Sequence, residues 1–168
     1  MKSLTVNIID DQKLLIRFGD GAKCKQKIIA ILKSICKRIL FDVGINCGRL
    51  NIVIVGGVVM RGYNVEFLGH DYVTDVISFV IDYDESCEGG VIRRYLEGDI
   101  LACVDVAFER AAEFGWSPLE EFCLYAIHGA LHLAGYDDKN KTAKKIMKKK
   151  ENEYIKKIQP KLNEIKKR

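Results

Sequence analysis

The apolar positions along the chain follow two spacings, one typical of strands and one typical of helices. Residues 4–9 alternate apolar and polar side chains and are rich in β-branched residues, which predicts a strand, and residues 14–18 could pair back as a second short strand. Residues 51–55 form a continuous apolar run bounded by glycines, as in a central strand. The same criteria predict strands at 75–81 and 98–104, separated by an acidic loop at 82–90.

Helical spacing is clearest at 23–43, where apolar residues recur every three to four positions and lysines occupy the other face. Residues 58–67 and 107–114 fit two shorter helices. Ser117 followed by Pro118 and two acids is a typical helix start. A last helix is expected from residue 139 onward, with a break at Pro160.

Composition favours one domain, because 168 residues with 48% apolar side chains are enough for a single core. We place this domain at residues 1–158, followed by a basic tail at 159–168. Residues 139–168 hold 13 lysines and arginines and only three acids, whereas residues 1–138 hold 14 bases and 20 acids. Such a basic segment can be a solvated helix face, but it would also suit an RNA backbone.

The longest apolar runs are too short to span a bilayer, and the first residues lead into a strand-like alternation rather than a signal peptide. We therefore expect a cytoplasmic protein without membrane contact. The six cysteines form no Cys-x-x-Cys pair, which favours free thiols. Cys36 and Cys123 lie on apolar helix faces and are expected to be buried.

Two of the three histidines, His128 and His132, lie four residues apart in the helical segment after Pro118. Side chains at this spacing share one helix face, with Cβ atoms roughly 5–6 Å apart, so two imidazoles can bind one ion. Gly135 allows the left-handed conformation that ends many helices, after which the chain can turn back. Ordinary half-buried histidines are the alternative, but the pair followed by a glycine turn and two carboxylates favours a metal site.

The third ligand is expected from that turn, where Asp138 lies six residues after His132. A carboxylate oxygen binds zinc or nickel at about the same distance as a nitrogen does. Gly129 stands where a metalloprotease of the His-Glu-x-x-His type carries its general base. Peptide hydrolysis by that mechanism therefore lacks its proton acceptor.

Residues 128–137, which run His-Gly-Ala-Leu-His-Leu-Ala-Gly-Tyr-Asp, resemble the signature of the YbeY-type endoribonucleases, the bacterial rRNA maturation factors. The motif of that family is His-Gly-x-Leu-His-Leu-x-Gly-Tyr-Asp-His. Residues 74–79, Thr-Asp-Val-Ile-Ser-Phe, are similar to the family's Thr-Asp-Val-Leu-Ser-Phe block. The resemblance covers residues 50–155 and is also supported by Gly98, Asp99, Ile100, Met147 and Glu151.

The resemblance implies a zincin-like α+β fold, a single domain with a mixed sheet of about four strands packed with helices. It also implies metal-dependent cleavage of single-stranded RNA, in the late maturation of the small-subunit rRNA 3′ end and in ribosome quality control. The implied cofactor is one divalent ion, zinc. The implied partners are RNA, the ribosome, and a ribosomal protein or GTPase.

The chain departs from the family pattern at two positions. Asp138 replaces the third histidine of the motif, which keeps the ligand count but adds a negative charge that makes the ion a weaker Lewis acid. Leu68 aligns with an arginine of the family and can neither bind a phosphate nor stabilise developing charge. Arg61 or a lysine of the tail could substitute. His70 could be a ligand or a phosphate contact, or a plain surface residue.

The hypothesis is that His128, His132 and Asp138 hold the ion with one position left open, as in catalytic sites. His128 and Asp137 are the catalytic candidates, Asp137 either as a general base or as a carboxylate that orients an imidazole. Besides Arg61, the expected substrate-binding residues are Thr74, Asp75 and Ser78, which could line the cleft or serve only in capping and packing.

Two other functions remain open. The chain could be a different metal-dependent hydrolase that uses the same histidine pair, in which case it would cleave peptides rather than RNA. It could also be a non-catalytic factor that binds RNA or the ribosome through a structural metal. RNA binding that survives His128→Ala without any cleavage would indicate this last function.

Overall fold

The computed structural model describes residues 3–166, apart from the side chains of residues 88, 114 and 166. Its centre is a mixed sheet of four strands in the order β1-β2-β4-β3. The strands β1, β2 and β4 are parallel to one another, and β3 pairs antiparallel with β4 at the edge of the sheet. The strands span Thr5–Ile9 (β1), Ile45–Val55 (β2), Val76–Glu88 (β3) and Val91–Cys103 (β4). The predicted α+β class with a mixed four-stranded sheet is confirmed.

Within residues 3–166 there are five α-helices: α1 (Ala22–Asp42), α2 (Gly57–Leu68), α3 (Val104–Arg110), α4 (Pro118–Leu133) and α5 (Lys141–Lys166). Two 3-10 helices, Leu14–Phe18 and Ala111–Phe114, connect them. Helix α4 is the central helix, because it contacts α1, α3, α5 and the strands β3 and β4. No helix within residues 3–166 is long and apolar enough to cross a membrane.

The start of α4 is held by the residues that predict it. The Ser117 hydroxyl accepts the backbone N–H of Glu120, the Glu120 carboxylate accepts the backbone N–H of Ser117, and Pro118 occupies the first turn. This reciprocal capping box satisfies two N–H groups that a helix start would leave without partners. Cys36 and Cys123 are fully buried, as expected, and all six thiols are free.

Gly129 lets α4 lie close against the sheet. A Cβ atom at this position would lie 2.9 Å from Ile100 Cγ2 and 3.2 Å from Val76 Cγ2, closer than packed carbon atoms come. The side of residue 129 therefore faces β-strands rather than a cleft. A glutamate could not act there as a general base, which agrees with the exclusion of a His-Glu-x-x-His protease mechanism.

Three local predictions are wrong. Residues 14–18 form a 3-10 helix instead of a strand. Residues 82–88 extend β3, because Gly89 and Gly90 have φ of 58° and 79° and so permit a tight hairpin turn into β4. Helix α5 does not break at Pro160, because Ile158 and Leu162 on either side are buried in the core.

Much of the predicted basic tail is thus helical, and Leu162 within it is fully buried. Residues 167 and 168 of that tail lie outside the described residues. The predicted helix at 107–114 is split into α3, which begins earlier at Val104, and the 3-10 helix Ala111–Phe114.

Candidate metal centre

The end of α4 turns the chain back toward the two histidines. Gly135 has φ of +90°, and the turn is closed by hydrogen bonds from Gly135 N to His132 O at 2.9 Å and from Tyr136 N to Leu131 O at 3.0 Å. A residue with a side chain rarely adopts this left-handed conformation, so the glycine makes the turn possible. The turn brings the Tyr136 carbonyl and the Asp138 carboxylate next to His132.

Each histidine uses its Nδ1 atom to bond an acceptor. His128 Nδ1 lies 2.7 Å from Glu151 Oε1, and His132 Nδ1 lies 3.1 Å from the Tyr136 carbonyl oxygen. A carbonyl oxygen and an ionised carboxylate can only accept, so each Nδ1 carries the hydrogen. The lone pair of each neutral imidazole is therefore on Nε2.

The two Nε2 atoms face each other at 2.9 Å. Two lone pairs at this distance repel, and a cation or a proton shared between them removes the repulsion. The rings are held at an interplanar angle of 85°, with centroids 4.5 Å apart, so that both nitrogens point to one place. The donor atoms thus fit a metal ion better than they fit a metal-free histidine pair.

Asp138 completes this group. Its Oδ1 atom lies 3.9 Å from His132 Nε2, and the ligand atoms of His128, His132 and Asp138 all lie within 4.8 Å of one another. A tetrahedral zinc ion with ligands at about 2.0–2.2 Å would hold neighbouring donors roughly 3.3–3.5 Å apart. The observed separations bracket that value, so the predicted ligand set is brought together in space.

Glu151 of α5 bonds His128 and orients its imidazole. It is one of the few buried charged residues, with 7% of its surface exposed, and Lys148 Nζ lies 3.3 Å from its second oxygen. Burial acts to raise the pKa of Glu151, but the hydrogen bond with His128 and the charges of His128 and Lys148 together outweigh it and lower the pKa. Burial acts to lower the pKa of His128, and the same hydrogen bond and the charge of Glu151 raise it instead. Glu151 is therefore ionised and fixes the imidazole orientation.

Asp137 is a turn residue in this structure. Its Oδ1 atom accepts the backbone N–H groups of Asp138 at 2.7 Å and Lys139 at 3.2 Å, and Lys139 Nζ lies 3.8 Å from Oδ2. These bonds hold the loop that presents Asp138. The orienting carboxylate of His128 is Glu151 and not Asp137, and the role of Asp137 as a general base stays a prediction.

A pocket of about 430 Å³ opens beside His128. Asp75 lies in its wall and accepts the backbone N–H of Val76 at 2.9 Å and the Thr74 hydroxyl at 3.0 Å, while Arg110 approaches it at 3.8 Å. Further side chains in the wall are Trp116, Glu121, Tyr125 and Lys148. Of the four predicted substrate-binding residues, Asp75 is the one that lines this pocket.

A second depression of about 460 Å³ lies beside His132 on the other side of the histidine pair. Val80 and Tyr83 of the edge strand β3 form one wall, and Gly135 lies opposite. Arg94 also lines it, with its guanidinium bonded to Glu85 at 2.7 Å and to the Val43 carbonyl at 2.6 Å. The metal-binding group thus lies between two depressions.

The other predicted residues lie outside both depressions. Arg61 donates two hydrogen bonds to Asp71, at 2.7 and 2.8 Å, so its charge is neutralised. His70 stacks on Tyr72, and Leu68 is 49% exposed at the end of α2. Ser78 pairs with Ile100, against which Gly129 packs, so Ser78 lies on the sheet face that carries α4.

Sequence reasoning gave no role to Glu151, Arg110, Trp116, Glu121 and Tyr125. A signal for Glu151 was present, because it is an acid directly after three lysines in the last helix. An acid at an apolar position of a basic helix indicates a buried partner. Glu121 and Tyr125 lie on α4 at helical spacing with His128, which was a usable signal, whereas Arg110 and Trp116 come from α3 and from the segment before α4.

The comparisons with known proteins agree with this geometry. The family described as Endoribonuclease YbeY matches residues 8–159, which extends the resemblance toward the amino terminus. An endoribonuclease YbeY of Elusimicrobium minutum is 48% identical over 91 residues, which are 54% of this chain and 61% of that relative. An endoribonuclease YbeY of Salinibacter ruber is 32% identical over 129 residues, 77% of this chain and 82% of that relative.

A solution structure of a protein from Thermotoga maritima is similar in fold. It shares 26% identity with a TM-score of 0.60, over 95% of this chain and 93% of that chain. Together with the histidine motif and its geometry, these matches show that the chain belongs to the endoribonuclease YbeY family.

Proposed function

We propose that the chain is a metal-dependent endoribonuclease that cleaves single-stranded RNA. The observation that carries this proposal is the convergence of two Nε2 lone pairs and one carboxylate at the end of α4, in a chain whose relatives are named endoribonucleases. Three protein ligands leave an ion with an open coordination position, which is the arrangement of catalytic rather than structural sites.

A bound divalent ion would polarise a phosphoryl oxygen or lower the pKa of a water molecule. The protein's own groups orient the ligands: Glu151 fixes His128 and the Tyr136 carbonyl fixes His132. Asp137 is the proposed general base, and it would have to give up part of its bonding to the backbone of the turn to act.

An RNA strand can cross the histidine pair from one depression to the other, because both depressions open beside it. Cations lie along this path. Arg110 and Lys148 flank the pocket beside His128, and Lys141, Lys144 and Lys145 extend the positive charge along the first turns of α5. Phosphate oxygens are the natural partners of such a row of cations.

We further propose that the ion is zinc, and that the RNA is the 3′ end of small-subunit rRNA during late maturation and ribosome quality control in the cytoplasm. A ribosomal protein or a GTPase would recruit the enzyme. Support for these finer assignments comes from the family alone. Asp75 remains the proposed substrate contact in the pocket, with Thr74 holding its carboxylate.

The test is to measure metal content by mass spectrometry and cleavage of a labelled single-stranded RNA, for the wild type and for Asp138→Ala. The matched control is Asp71→Ala, which removes an exposed carboxylate from a similar turn. We expect about one ion per chain and cleavage in the wild type and the control, and loss of both in Asp138→Ala.

The other outcomes separate the alternatives. Bound metal and RNA binding without any cleavage, in the wild type, would indicate the non-catalytic binding factor, for which the exposed Leu68 in place of the family's arginine is the favouring observation. Cleavage of peptides but not RNA would indicate another hydrolase. Absence of metal in the wild type would overturn the proposed centre.

A further inference from the structure

The pocket beside His128 has a floor that the metal centre does not use. Glu121 and Tyr125, one turn apart on α4, line it with only 4% and 3% of their surfaces exposed. The nearby cations do not pair with Glu121, because Arg110 approaches Asp75 and Lys148 pairs with Glu151. Burial raises the pKa of Glu121, because its effect exceeds the lowering effect of the charges of Lys148 and Arg110.

The Tyr125 hydroxyl is a second group whose bonding is incomplete. It is buried, and among the described residues no partner lies at good hydrogen-bond geometry, although the hydroxyl interacts with the Glu121 carboxylate. Burial, and after it the negative charge of Glu121, raise the pKa of Tyr125, which keeps the hydroxyl protonated as a donor. A buried carboxylate without sufficient donors costs free energy, and a ligand that donates hydrogen bonds to it offsets that cost.

The remaining walls have the chemistry of a nucleotide site. The indole of Trp116, half buried at the start of α4, offers a flat aromatic surface. Arg110 and Lys148 lie at the exposed rim, and His128 connects the pocket to the metal centre. Proteins that bind single-stranded RNA stack unpaired bases on aromatic side chains and bond their Watson–Crick edges.

Among the four bases, guanine matches this floor best. It presents two adjacent donors, N1–H and the N2 amino group, which a single carboxylate can accept in bidentate fashion. Uracil presents only one donor, and adenine and cytosine place an acceptor beside their amino group, against a carboxylate oxygen. A volume of about 430 Å³ is in the range of small-ligand pockets.

We propose that this pocket binds a guanine base of the RNA next to the cleaved phosphate, with Glu121 as its specificity-determining residue and Tyr125 as the residue that positions Glu121, a role that rests on the proposed endoribonuclease function. The Glu121 carboxylate accepts the N1 and N2 hydrogens, the buried Tyr125 hydroxyl holds that carboxylate in place, and Trp116 stacks on the ring. Arg110 and Lys148 bind the flanking phosphates.

Trp116 provides the test, because it is the single tryptophan of the chain. Nucleoside monophosphates are titrated into the full-length, metal-free protein at about pH 8 while the intrinsic fluorescence is followed. GMP is expected to quench Trp116 and to bind about 10-fold more tightly than AMP, CMP or UMP. IMP, which lacks only the N2 amino group, is expected to bind about 10-fold more weakly than GMP. This comparison needs no mutation and so no refolding control.

Glu121→Gln replaces one acceptor oxygen by a donor and is expected to abolish the preference for GMP over IMP. Glu113→Gln, the same change at an exposed position of the preceding 3-10 helix, should leave it intact. Equal affinities for all five nucleotides, or tighter binding of AMP, would overturn the proposal. So would a guanine preference that Glu121→Gln leaves unchanged in a folded variant.

Cleavage mapping then separates this inference from the proposed function. In a mixed-sequence RNA, the wild type is expected to cut next to guanine. The Glu121→Gln variant is expected to cut without a preference for any base. A preference for GMP without any RNA cleavage would support the guanine pocket and overturn the proposed endoribonuclease function. RNA cleavage without regard to the neighbouring base would support the proposed function and overturn the guanine site.

Discussion

Helices α2 and α4 both end at a glycine with positive φ, Gly69 at 71° and Gly135 at 90°, after which the chain folds back on the helix. Each turn carries an aspartate toward a charged or ring nitrogen of its helix. At α2, Asp71 bonds both nitrogens of Arg61 that face it, and the two charges cancel at an exposed surface. At α4, Asp138 approaches a histidine pair whose lone pairs converge.

The difference lies in what the rest of the fold supplies. Around α2, few elements pack closely, and Val58 is 90% exposed. Around α4, six elements of the described chain pack closely, and α5 supplies a buried carboxylate to His128. The same helix-ending turn therefore produces a self-satisfied ion pair at one place and a set of donors that needs a cation at the other.

Removal of a histidine should distinguish the two regions most strongly. His128→Ala is expected to lose the metal ion and more than about 100-fold of RNA cleavage, because even the partners of metal ligands contribute about 10- to 100-fold. His70→Ala removes the histidine of the α2 turn and should change neither. Metal content by mass spectrometry and initial cleavage rates measure both. Comparable losses of metal and of cleavage in His128→Ala and His70→Ala would contradict the difference between the α4 and α2 turns.

Glu151→Gln should have the next largest effect. The amide can still accept the His128 hydrogen but carries no charge, so metal affinity is expected to fall by about 10- to 100-fold. Glu153→Gln, two residues away, is the control, because that side chain pairs with Lys150 and Lys157 at the surface and not with the histidines. Competition with a chromophoric chelator measures the affinities. Equal metal affinities in both variants would mean that Glu151 does not contribute to metal binding.

The metal-binding group was predictable because its spacing is local. The two histidines, the glycine turn and Asp138 lie within residues 128–138, and helix geometry alone places them on one side. Glu151 lies 23 residues after His128 on another helix, so the contact depends on how α4 and α5 pack. The ion pair of Arg61 depends likewise on the turn that follows α2, and sequence reasoning left Arg61 free to bind substrate.

The fold shows the same division. The buried parts of the strands were predicted, because their apolar residues reflect contact with helices. The outer halves of β3 and β4 form a ribbon whose β3 side chains from 80 to 87 are exposed on both faces, so no alternation marks them. The acidic residues in this ribbon led to the prediction of a loop. The sequence feature that indicates the hairpin is the Gly89-Gly90 turn.

Two glycine-to-alanine changes compare the packing around the helices directly. In Gly129→Ala the new methyl group would lie 2.9 Å from Ile100 Cγ2, and overpacking of this kind costs about 1–3 kcal/mol. In Gly62→Ala of α2 no atom beyond the chain neighbours and the nearby backbone of the helix lies within 4 Å of the new methyl group, and the helix should gain about 0.5–1 kcal/mol. Urea unfolding measures both. A Gly129→Ala variant as stable as the wild type would contradict the close packing of α4.

The pH dependence of the metal-free protein tests the His128–Glu151 pair. The raised pKa of His128 stabilises the fold at pH values below the unfolded pKa of about 6.5, and this contribution is lost as the pH rises through the folded pKa. The lowered pKa of Glu151 stabilises the fold above the unfolded pKa and is lost on acidification. The Tm difference between wild type and Glu151→Gln should therefore be larger at about pH 6 than at about pH 8. An equal difference at both pH values would mean that the pair is not charged.

Arg61→Ala should have the smallest effect. The guanidinium already bonds Asp71 at the surface, and exposed pairs contribute little to stability, so the Tm should not change measurably. Because its charge is neutralised and it lines neither depression beside the histidines, RNA cleavage should change by less than about 3-fold. The small effect could come from the neutralised charge of Arg61 or from its position outside both depressions, and Asp71→Ala, which frees the arginine, separates these two causes. Faster cleavage in that variant would mean that Arg61 binds phosphate whenever Asp71 releases it. A large loss in Arg61→Ala itself would restore Arg61 as a substrate-binding residue, with the ion pair to Asp71 exchanged for one to RNA.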